Sequence, residues 1–129
     1  MTKVYPLITN IKNAHLARKT IIFQKKNKLC SILLDILWDE GLILGYRITK
    51  ICKYYFEIFL KYCFKNPYTN LSGIRILNRF NNRIFLSLKQ LWKINSTTNT
   101  LILATSQGIL TQNDCRKYKI GGKPILITN

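Results

Sequence analysis

Residues 105–111 have the sequence Thr105-Ser106-Gln107-Gly108-Ile109-Leu110-Thr111, and they follow an apolar run over Thr100–Thr105 that is typical of a β-strand. The polar residues Ser106 and Gln107, followed by Gly108, interrupt this run. Thr111 stands three residues before Asp114, which is the spacing of a helix capping box. This stretch therefore predicts a strand, a break and then the start of a short helix.

The short helix after Thr111 carries Arg116, Lys117 and Lys119, and Gly121-Gly122 is expected to end it. A last strand follows over Pro124–Thr128. Upstream of the quoted stretch, the pattern predicts two more strands, a loop between them and one helical turn. These cover Gly73–Leu77, Arg83–Leu86, the loop Asn78–Asn82 and the helical turn Ser87–Trp92. The second half of the chain is therefore predicted to be mostly β with a short helix.

The first half of the chain predicts the order α-β-α-β-β. The elements are a helix over Tyr5–Leu16, a strand over Thr20–Phe23, a helix from Asn27 to about Glu40, and strands over Leu42–Thr49 and Tyr54–Tyr62. Asn27 is a suitable N-cap for the second helix, and Gly41 is suited to the left-handed residue that closes it. Asn66–Asn70 consists of turn-forming residues. We therefore predict an α+β fold with two small domains, an N-terminal α/β domain over 1–66 and a C-terminal β-rich domain over 67–129.

The charge of the chain points to a polyanionic partner. Lys and Arg number 21 against 5 Asp and Glu, so the formal net charge is +16, while 47% of the residues are hydrophobic. That hydrophobic content supports a folded core and excludes a disordered basic tail. A folded polycation of this kind is expected to bind a nucleic acid or an anionic membrane surface. Its basic clusters are Lys12, Arg18 and Lys19; Lys25, Lys26 and Lys28; and Arg75, Arg79 and Arg83.

Few residues of the chain are arranged for catalysis or metal binding. The four cysteines contain no CxxC pair, so we expect reduced and mostly buried thiols rather than a zinc site or a disulfide framework. The five carboxylates are scattered, and His15 lies on a Lys-flanked helix, where a solvated or phosphate-facing side chain is expected. No phosphate-binding or dinucleotide motif is present. We therefore expect no enzymatic activity, no cofactor, no metal and no small-molecule substrate.

Two interpretations of the stretch around Gly108 remain open on chemistry alone. Two hydroxyls and a glycine at the end of a strand suit close contact with base edges and ribose hydroxyls. The same residues also suit an ordinary strand, turn and helix with a good N-cap.

The segment from Thr105 to Lys123 resembles the C-terminal signature of the small-subunit ribosomal protein eight family. In that family a Ser-Thr-Ser-x-Gly loop leads into a short helix and ends at Gly-Gly before the last strand. Ala104 replaces the first Ser, and Cys115 stands where a small Ala is usual. The residues that fit the pattern are Thr105, Ser106, Gly108, Thr111, Arg116, Gly121 and Gly122.

The resemblance extends through the chain. Thr9–Ala14 is similar to the family's Thr-x-Ile-Arg-Asn-Ala helix motif, and Asn27-Lys28-Leu29 is similar to its Ser-Lys-Leu helix start. Asp39-Glu40-Gly41 resembles its Glu-Glu-Gly helix end, and Arg83-Ile84-Phe85 resembles its Arg-Ile-Tyr strand. The chain departs from the family at Asn78–Asn81, where Ser-Arg-Pro-Gly is usual, and at Lys123, where bacterial members often carry Glu.

The resemblance implies a structural protein that binds the central domain of small-subunit rRNA during assembly and stays in the ribosome beside neighbouring small-subunit proteins. In the family the C-terminal loop contacts an irregular rRNA helix, and the N-terminal domain adds backbone contacts. Together with the basic clusters, it predicts these RNA-binding residues: Thr9, Lys12, Asn13, Asn27, Lys28, Arg79, Arg83, Thr105, Ser106, Gln107, Gly108, Thr111, Arg116, Gly121, Gly122 and Lys123.

The basic charge also fits two other functions, and the composition bears on the cellular location. The rivals are a basic peripheral membrane-binding protein and an RNA-modification accessory protein, and no stretch is apolar enough to predict a membrane span. Lys, Asn, Ile, Phe and Tyr make up close to half of the chain, and their codons are rich in A and T. We therefore expect a mitochondrial ribosome, with a plastid or bacterial ribosome as the alternatives.

Overall fold

The computed structural model describes residues 4–62, 74–77, 84–94 and 99–128. The chain divides into two compact units, Met1–Ser72 and Gly73–Asn129. The predicted domain boundary between residues 66 and 67 lies outside the described residues, as do the turn Asn66–Asn70 and the loop Asn78–Asn82. Both units combine helices with antiparallel sheets, so the predicted α+β class is confirmed.

The first unit has the predicted α-β-α-β-β order. Its elements are α1 over Val4–Leu16, β1 over Ile21–Lys25, α2 over Lys28–Asp39, β2 over Ile43–Ile48 and β3 over Tyr55–Leu60. The three strands form an antiparallel sheet in the order β1-β3-β2. The central strand is therefore the last of the three along the chain.

Local signals at both ends of α2 explain why its bounds match the prediction. The Asn27 side chain accepts a hydrogen bond from the backbone N–H of Leu29 at 3.2 Å, as an N-cap does. At the other end Gly41 has a φ of 72°, the left-handed conformation that glycine adopts at little cost. Both helix ends are thus specified by residues next to them in the sequence.

The core of the first unit lies on one face of its sheet. In β3 the alternate side chains Phe56, Ile58 and Leu60 are buried, while Tyr55, Glu57 and Phe59 point to the other face. Both helices bury an apolar stripe; α1 contacts β1 and α2 contacts β2. The helices therefore cover the buried face of the sheet.

The second unit contains a four-stranded antiparallel sheet. Its elements are β4 over Arg75–Ile76, α3 over Leu88–Lys93, β5 over Thr100–Thr105, β6 over Gly108–Thr111, α4 over Gln112–Tyr118 and β7 over Lys123–Thr128. The strand order is β4-β7-β5-β6. The buried residues Leu91, Leu101, Leu103 and Cys115 pack together and join α3 and α4 to β5.

Three predictions for the second unit need correction. Gly108 does not merely break the chain but begins β6, which pairs with β5 from Gly108 opposite Thr105 to Thr111 opposite Ile102. Helix α4 ends at Tyr118 and is capped by Lys119, whose φ of 56° is left-handed, and not by Gly121-Gly122. The predicted strand over Arg83–Leu86 is wrong for its described residues, because only Leu86 forms a bridge, to Gly122.

Candidate nucleic-acid interface

The turn between β5 and β6 presents two polar side chains to solvent. Thr105 and Gly108 form the last pair of the hairpin, so Ser106 and Gln107 make a two-residue turn. The Thr105 hydroxyl accepts from the Gln107 backbone N–H at 3.2 Å and donates to the Gly108 carbonyl at 2.8 Å. These two bonds hold the turn in one conformation, and Gly108 has a φ of 111°, which side chains rarely adopt.

Ser106, Gln107 and Gly108 are all exposed. Within the part of the chain that the structure describes, no group forms a hydrogen bond with the Ser106 hydroxyl. The turn therefore offers a hydroxyl and an amide on a fixed backbone, and a ligand can bind them without breaking internal bonds.

Thr111 has a structural task at the start of α4. Its hydroxyl accepts from the Asp114 backbone N–H at 3.3 Å and donates to the Asp114 carboxylate at 3.0 Å. Thr111 is buried, so this hydroxyl closes the N-terminus of the helix rather than facing solvent. The predicted cap is confirmed, while a direct RNA contact by Thr111 stays a prediction.

Arg116 binds the C-terminal end of α3. One guanidinium nitrogen, Nη2, donates to the carbonyls of Leu91 at 2.7 Å and Ile94 at 2.5 Å. The guanidinium carbon lies 5.0 Å from the centre of the Trp92 ring. The buried Gln112 donates to the same two carbonyls at 3.0 and 3.1 Å. Arg116 therefore joins α4 to α3, a role that the sequence prediction missed along with Gln112.

Gly121 and Gly122 allow backbones to approach closely. A Cβ on Gly121 would lie 2.6 Å from the Leu86 carbonyl oxygen, and one on Gly122 would lie 2.7 Å from the Ala104 oxygen. Gly122 also exchanges two backbone hydrogen bonds with Leu86, at 2.9 and 3.1 Å. Gly121 thus needs glycine for packing beside Leu86, and Gly122 for packing beside β5. Contact of the pair with RNA stays a prediction.

Lys123 begins β7 directly opposite Ala104, the residue before Thr105. Ala104 also pairs with Ile109 of β6 on its other side. Neighbouring strands lie about 4.8 Å apart. The half-buried Lys123 is therefore one strand away from the start of the β5–β6 turn.

The predicted contacts of the first unit lie on α1 and at the start of α2. Thr9 and Lys12 are half-buried, and Asn13 is exposed, on neighbouring turns of α1. Asn27 is occupied as the N-cap, whereas Lys28 is exposed. Arg79 and Arg83 lie outside the described residues.

Asn27 and Lys28 line a groove of about 730 Å³ between α2 and β2. In this groove the Tyr46 hydroxyl donates to the Asp35 carboxylate and lies 3.3 Å from the Ser31 hydroxyl. Burial, followed by the bond to Asp35, raises the pKa of Tyr46. No local sequence pattern predicts this link, because its members are on separate elements.

His15 is buried, contrary to the expectation of a solvated or phosphate-facing side chain. Its ring stacks on the Tyr62 ring with centroids 5.0 Å apart and planes 8° from parallel. Burial lowers the pKa of His15. The Lys-flanked sequence misled the prediction, because the partner ring lies 47 positions away in the chain.

The described cysteines are Cys30, Cys52 and Cys115, and none of the three forms a disulfide. Cys30 and Cys115 are buried, and burial raises the pKa of both thiols. Over residues 4–62, 74–77, 84–94 and 99–128, no three His, Cys, Asp or Glu side chains are grouped as metal ligands. In those same ranges no helix combines the length and apolar character needed to cross a membrane.

Comparison with known proteins supplies the family context. A family profile described as Ribosomal protein S8 matches residues 3–128. The chain is 34% identical over 119 residues to the small ribosomal subunit protein uS8 of Azorhizobium caulinodans, covering 91% of this chain and 89% of that protein. It is 32% identical to the uS8 of Wigglesworthia glossinidia brevipalpis, covering 92% and 90%. With the uS8 of Buchnera aphidicola it shares 30% identity, covering 95% and 92%.

Proposed function

The chain belongs to the ribosomal protein S8 family, and from that membership we propose that it is a structural constituent of the small ribosomal subunit. In this role it binds the central domain of small-subunit rRNA and supports assembly of the subunit. Its partners are that rRNA and neighbouring small-subunit proteins.

The observation that carries the proposal is the β5–β6 turn. Thr105 holds the turn with two hydrogen bonds, and Ser106 and Gln107 project from it into solvent. Polar groups on a preorganised backbone suit base edges and ribose hydroxyls of irregular RNA, where bases are accessible. The turn therefore supplies selectivity.

The charge of the chain supplies affinity. A formal net charge of +16 attracts the phosphate backbone regardless of sequence, and binding releases the counterions condensed on RNA. Exposed lysines such as Lys28 on α2 and Lys117 on α4 spread this attraction over both units. Lys123 adds a cation one strand away from the selective turn.

The ribosome of this proposal is mitochondrial. The abundance of residues with A- and T-rich codons supports an organellar genome, and bacterial relatives are compatible with an organellar ribosome. Fractionation of cells from the source into mitochondria, plastids and cytosol, followed by detection of the chain in small subunits, tests this location. Its recovery in cytosolic or plastid subunits would contradict it.

Substituting Ser106→Ala tests the proposed turn. We expect weaker binding to a central-domain rRNA fragment by about 1–3 kcal/mol, because a buried RNA partner loses its hydrogen bond. Folding should be unchanged, since no described group bonds the hydroxyl. The measurement is filter binding to the cognate fragment and to a scrambled fragment of equal length.

The matched control is Asn113→Ala, which removes an exposed polar side chain from the neighbouring helix α4. It should bind both fragments like the parent. Equal losses for Ser106→Ala on the cognate and scrambled fragments would show that the turn gives only general affinity.

A further inference from the structure

The sheet of the first unit has one face that the helices leave uncovered. Phe56, Ile58 and Leu60 of the central strand are buried against the helices, so the alternate residues of β3 lie on the opposite face. Side chains directly opposite them in the register share that face. We call this surface the sheet platform; it consists of Ile21, Phe23, Lys25, Arg47, Tyr55, Glu57 and Phe59.

Three aromatic rings form a zigzag across the platform. Phe23 of β1 stands opposite Glu57 of β3, so it is the diagonal neighbour of both Tyr55 and Phe59. Diagonal neighbours on antiparallel strands are about 7–8 Å apart. Phe23 is 59% exposed and Tyr55 is 43% exposed, while Phe59 is half-buried. The rings are thus spaced so that each can stack on a separate base.

Cations are interleaved with these rings. Lys25 lies directly opposite Tyr55, and the Arg47 guanidinium lies 5.4 Å from the centre of the Phe59 ring. Glu57 is the sole acid among the platform residues, and its carboxylate accepts from Arg47 Nε at 2.6 Å. The ion pair neutralises that acid, so Lys25 gives the platform a net positive charge.

The turn between β2 and β3 extends the positive charge beyond Tyr55. The backbone N–H of Thr49 donates to the Tyr55 carbonyl at 3.1 Å, which places the turn at the Tyr55 end of the platform. Lys50 and Lys53 lie in this turn and are exposed. Charge therefore favours a polyanion that also carries flat apolar groups.

We propose that the sheet platform binds an unpaired RNA segment, whose successive bases stack on Phe23, Tyr55 and Phe59. Base stacking on aromatic side chains tolerates any sequence because every base has a flat face, and neighbouring cations contact the phosphates. This second RNA site rests on the proposed function, since it adds a single-stranded contact to the rRNA contact of the β5–β6 turn. An apolar protein partner is disfavoured because the cations lie among the rings rather than around them.

The test uses the full chain with fluorescently labelled oligouridylate, which forms no stable pairs, and with the central-domain rRNA fragment. The double substitution Phe23→Leu and Tyr55→Leu keeps apolar side chains but removes two rings. Loss of stacking weakens binding by about 5- to 150-fold per base. Because two rings are removed, we expect at least about a 25-fold loss of oligouridylate affinity for the double variant. Filter binding of the rRNA fragment reports separately on the β5–β6 turn.

Tyr118→Leu is the matched control, because Tyr118 is an exposed aromatic residue on α4 in the other unit. It should bind oligouridylate like the parent, and urea unfolding should show that all variants fold. A double variant that binds oligouridylate as tightly as the parent would overturn the platform, and so would a parent that binds the rRNA fragment but not oligouridylate. A variant that keeps RNA binding but fails to join small subunits would also overturn it and would identify a protein interface. If the parent itself does not bind the rRNA fragment, the proposed function is refuted instead.

Discussion

Removing the Arg116 side chain should destabilise the second unit even when no RNA is present. Arg116→Ala eliminates both hydrogen bonds from Nη2 to the carbonyls of Leu91 and Ile94 and the contact with the Trp92 ring. The side chain is half-buried, so water replaces these contacts only in part. Of the described side-chain hydrogen bonds to these two carbonyls, only those from Gln112 then remain.

The magnitude follows from the contacts that remain. A hydrogen bond from a charged donor contributes about 1.5–3 kcal/mol, and an exposed cation–π contact about 0.5–1 kcal/mol. Gln112 continues to donate to both carbonyls, so neither is left bare and the low end of each range applies. Two bonds and one ring contact at those low ends give an expected loss of about 3.5 kcal/mol in the free energy of unfolding. Adding Gln112→Ala should cost more than the two single losses together, because the carbonyls then have no described side-chain donor.

Urea unfolding followed by tryptophan fluorescence measures this loss. The chain has two tryptophans, Trp38 in the first unit and Trp92 beside Arg116, so a Trp38→Phe background reports on the second unit. Lys117→Ala is the matched control, since Lys117 is an exposed cation on the same helix. The reasoning is refuted if Arg116→Ala is as stable as Lys117→Ala. In that case RNA binding by Arg116→Ala should be measured over a range of salt. A slope of log K against log salt that is less steep than the parent's by roughly 0.7–0.9 would identify Arg116 as a direct phosphate contact.

Two further predictions concern charge. Lys123→Glu should weaken binding to the rRNA fragment clearly at low salt and less at high salt, because a cation beside the turn pairs with phosphate. Filter binding checks this against Lys117→Glu, which makes the same change of charge away from the turn and should lose less affinity; unchanged affinity of Lys123→Glu at both salts would make Lys123 a bystander. Lowering the pH from about 7 to about 5 should reduce the free energy of unfolding, because burial lowers the pKa of His15 and the unfolded chain takes up the proton first. His15→Phe keeps a ring to stack on Tyr62 and should flatten this dependence in urea titrations, whereas an unchanged pH profile would assign it to other groups.

Elements whose ends are set by nearby residues were the ones that the sequence predicted well. Helix α2 is an example, because Asn27 caps it and Gly41 closes it within the same short stretch. Strand β6 was missed because its four residues are stabilised by pairing with β5 and carry no distinctive pattern alone. The opposite error occurs at Arg83–Leu86, where the β-rich pattern predicts a strand. Among its described residues only Leu86 forms a bridge, to Gly122.

In the candidate site too, features set by nearby residues were predicted and features set by distant partners were not. The turn residues Ser106 and Gln107 were predicted as a unit because the break in the apolar run and the family resemblance both fall on them. The partners of Arg116 could not be predicted, since they are backbone carbonyls more than 20 positions earlier in the chain. The prediction for His15 was wrong for the same reason, because stacking on Tyr62 is visible only once α1 and the residues that follow β3 are brought together.

The position of β7 in its sheet determines the order in which the strands can pair during translation. β7 lies between β4 and β5, so among the described strands β4 has no partner until Lys123–Thr128 has been made. About 50 residues separate Ile76 from Lys123, and at about 5–20 residues per second β4 waits roughly 2–10 seconds for its partner. The β5–β6 hairpin, by contrast, pairs two consecutive strands and can close earlier. During translation the β5–β6 turn is thus available before the sheet beneath it is finished. A nascent chain stalled before residue 123 exposes the apolar residues that β7 would cover.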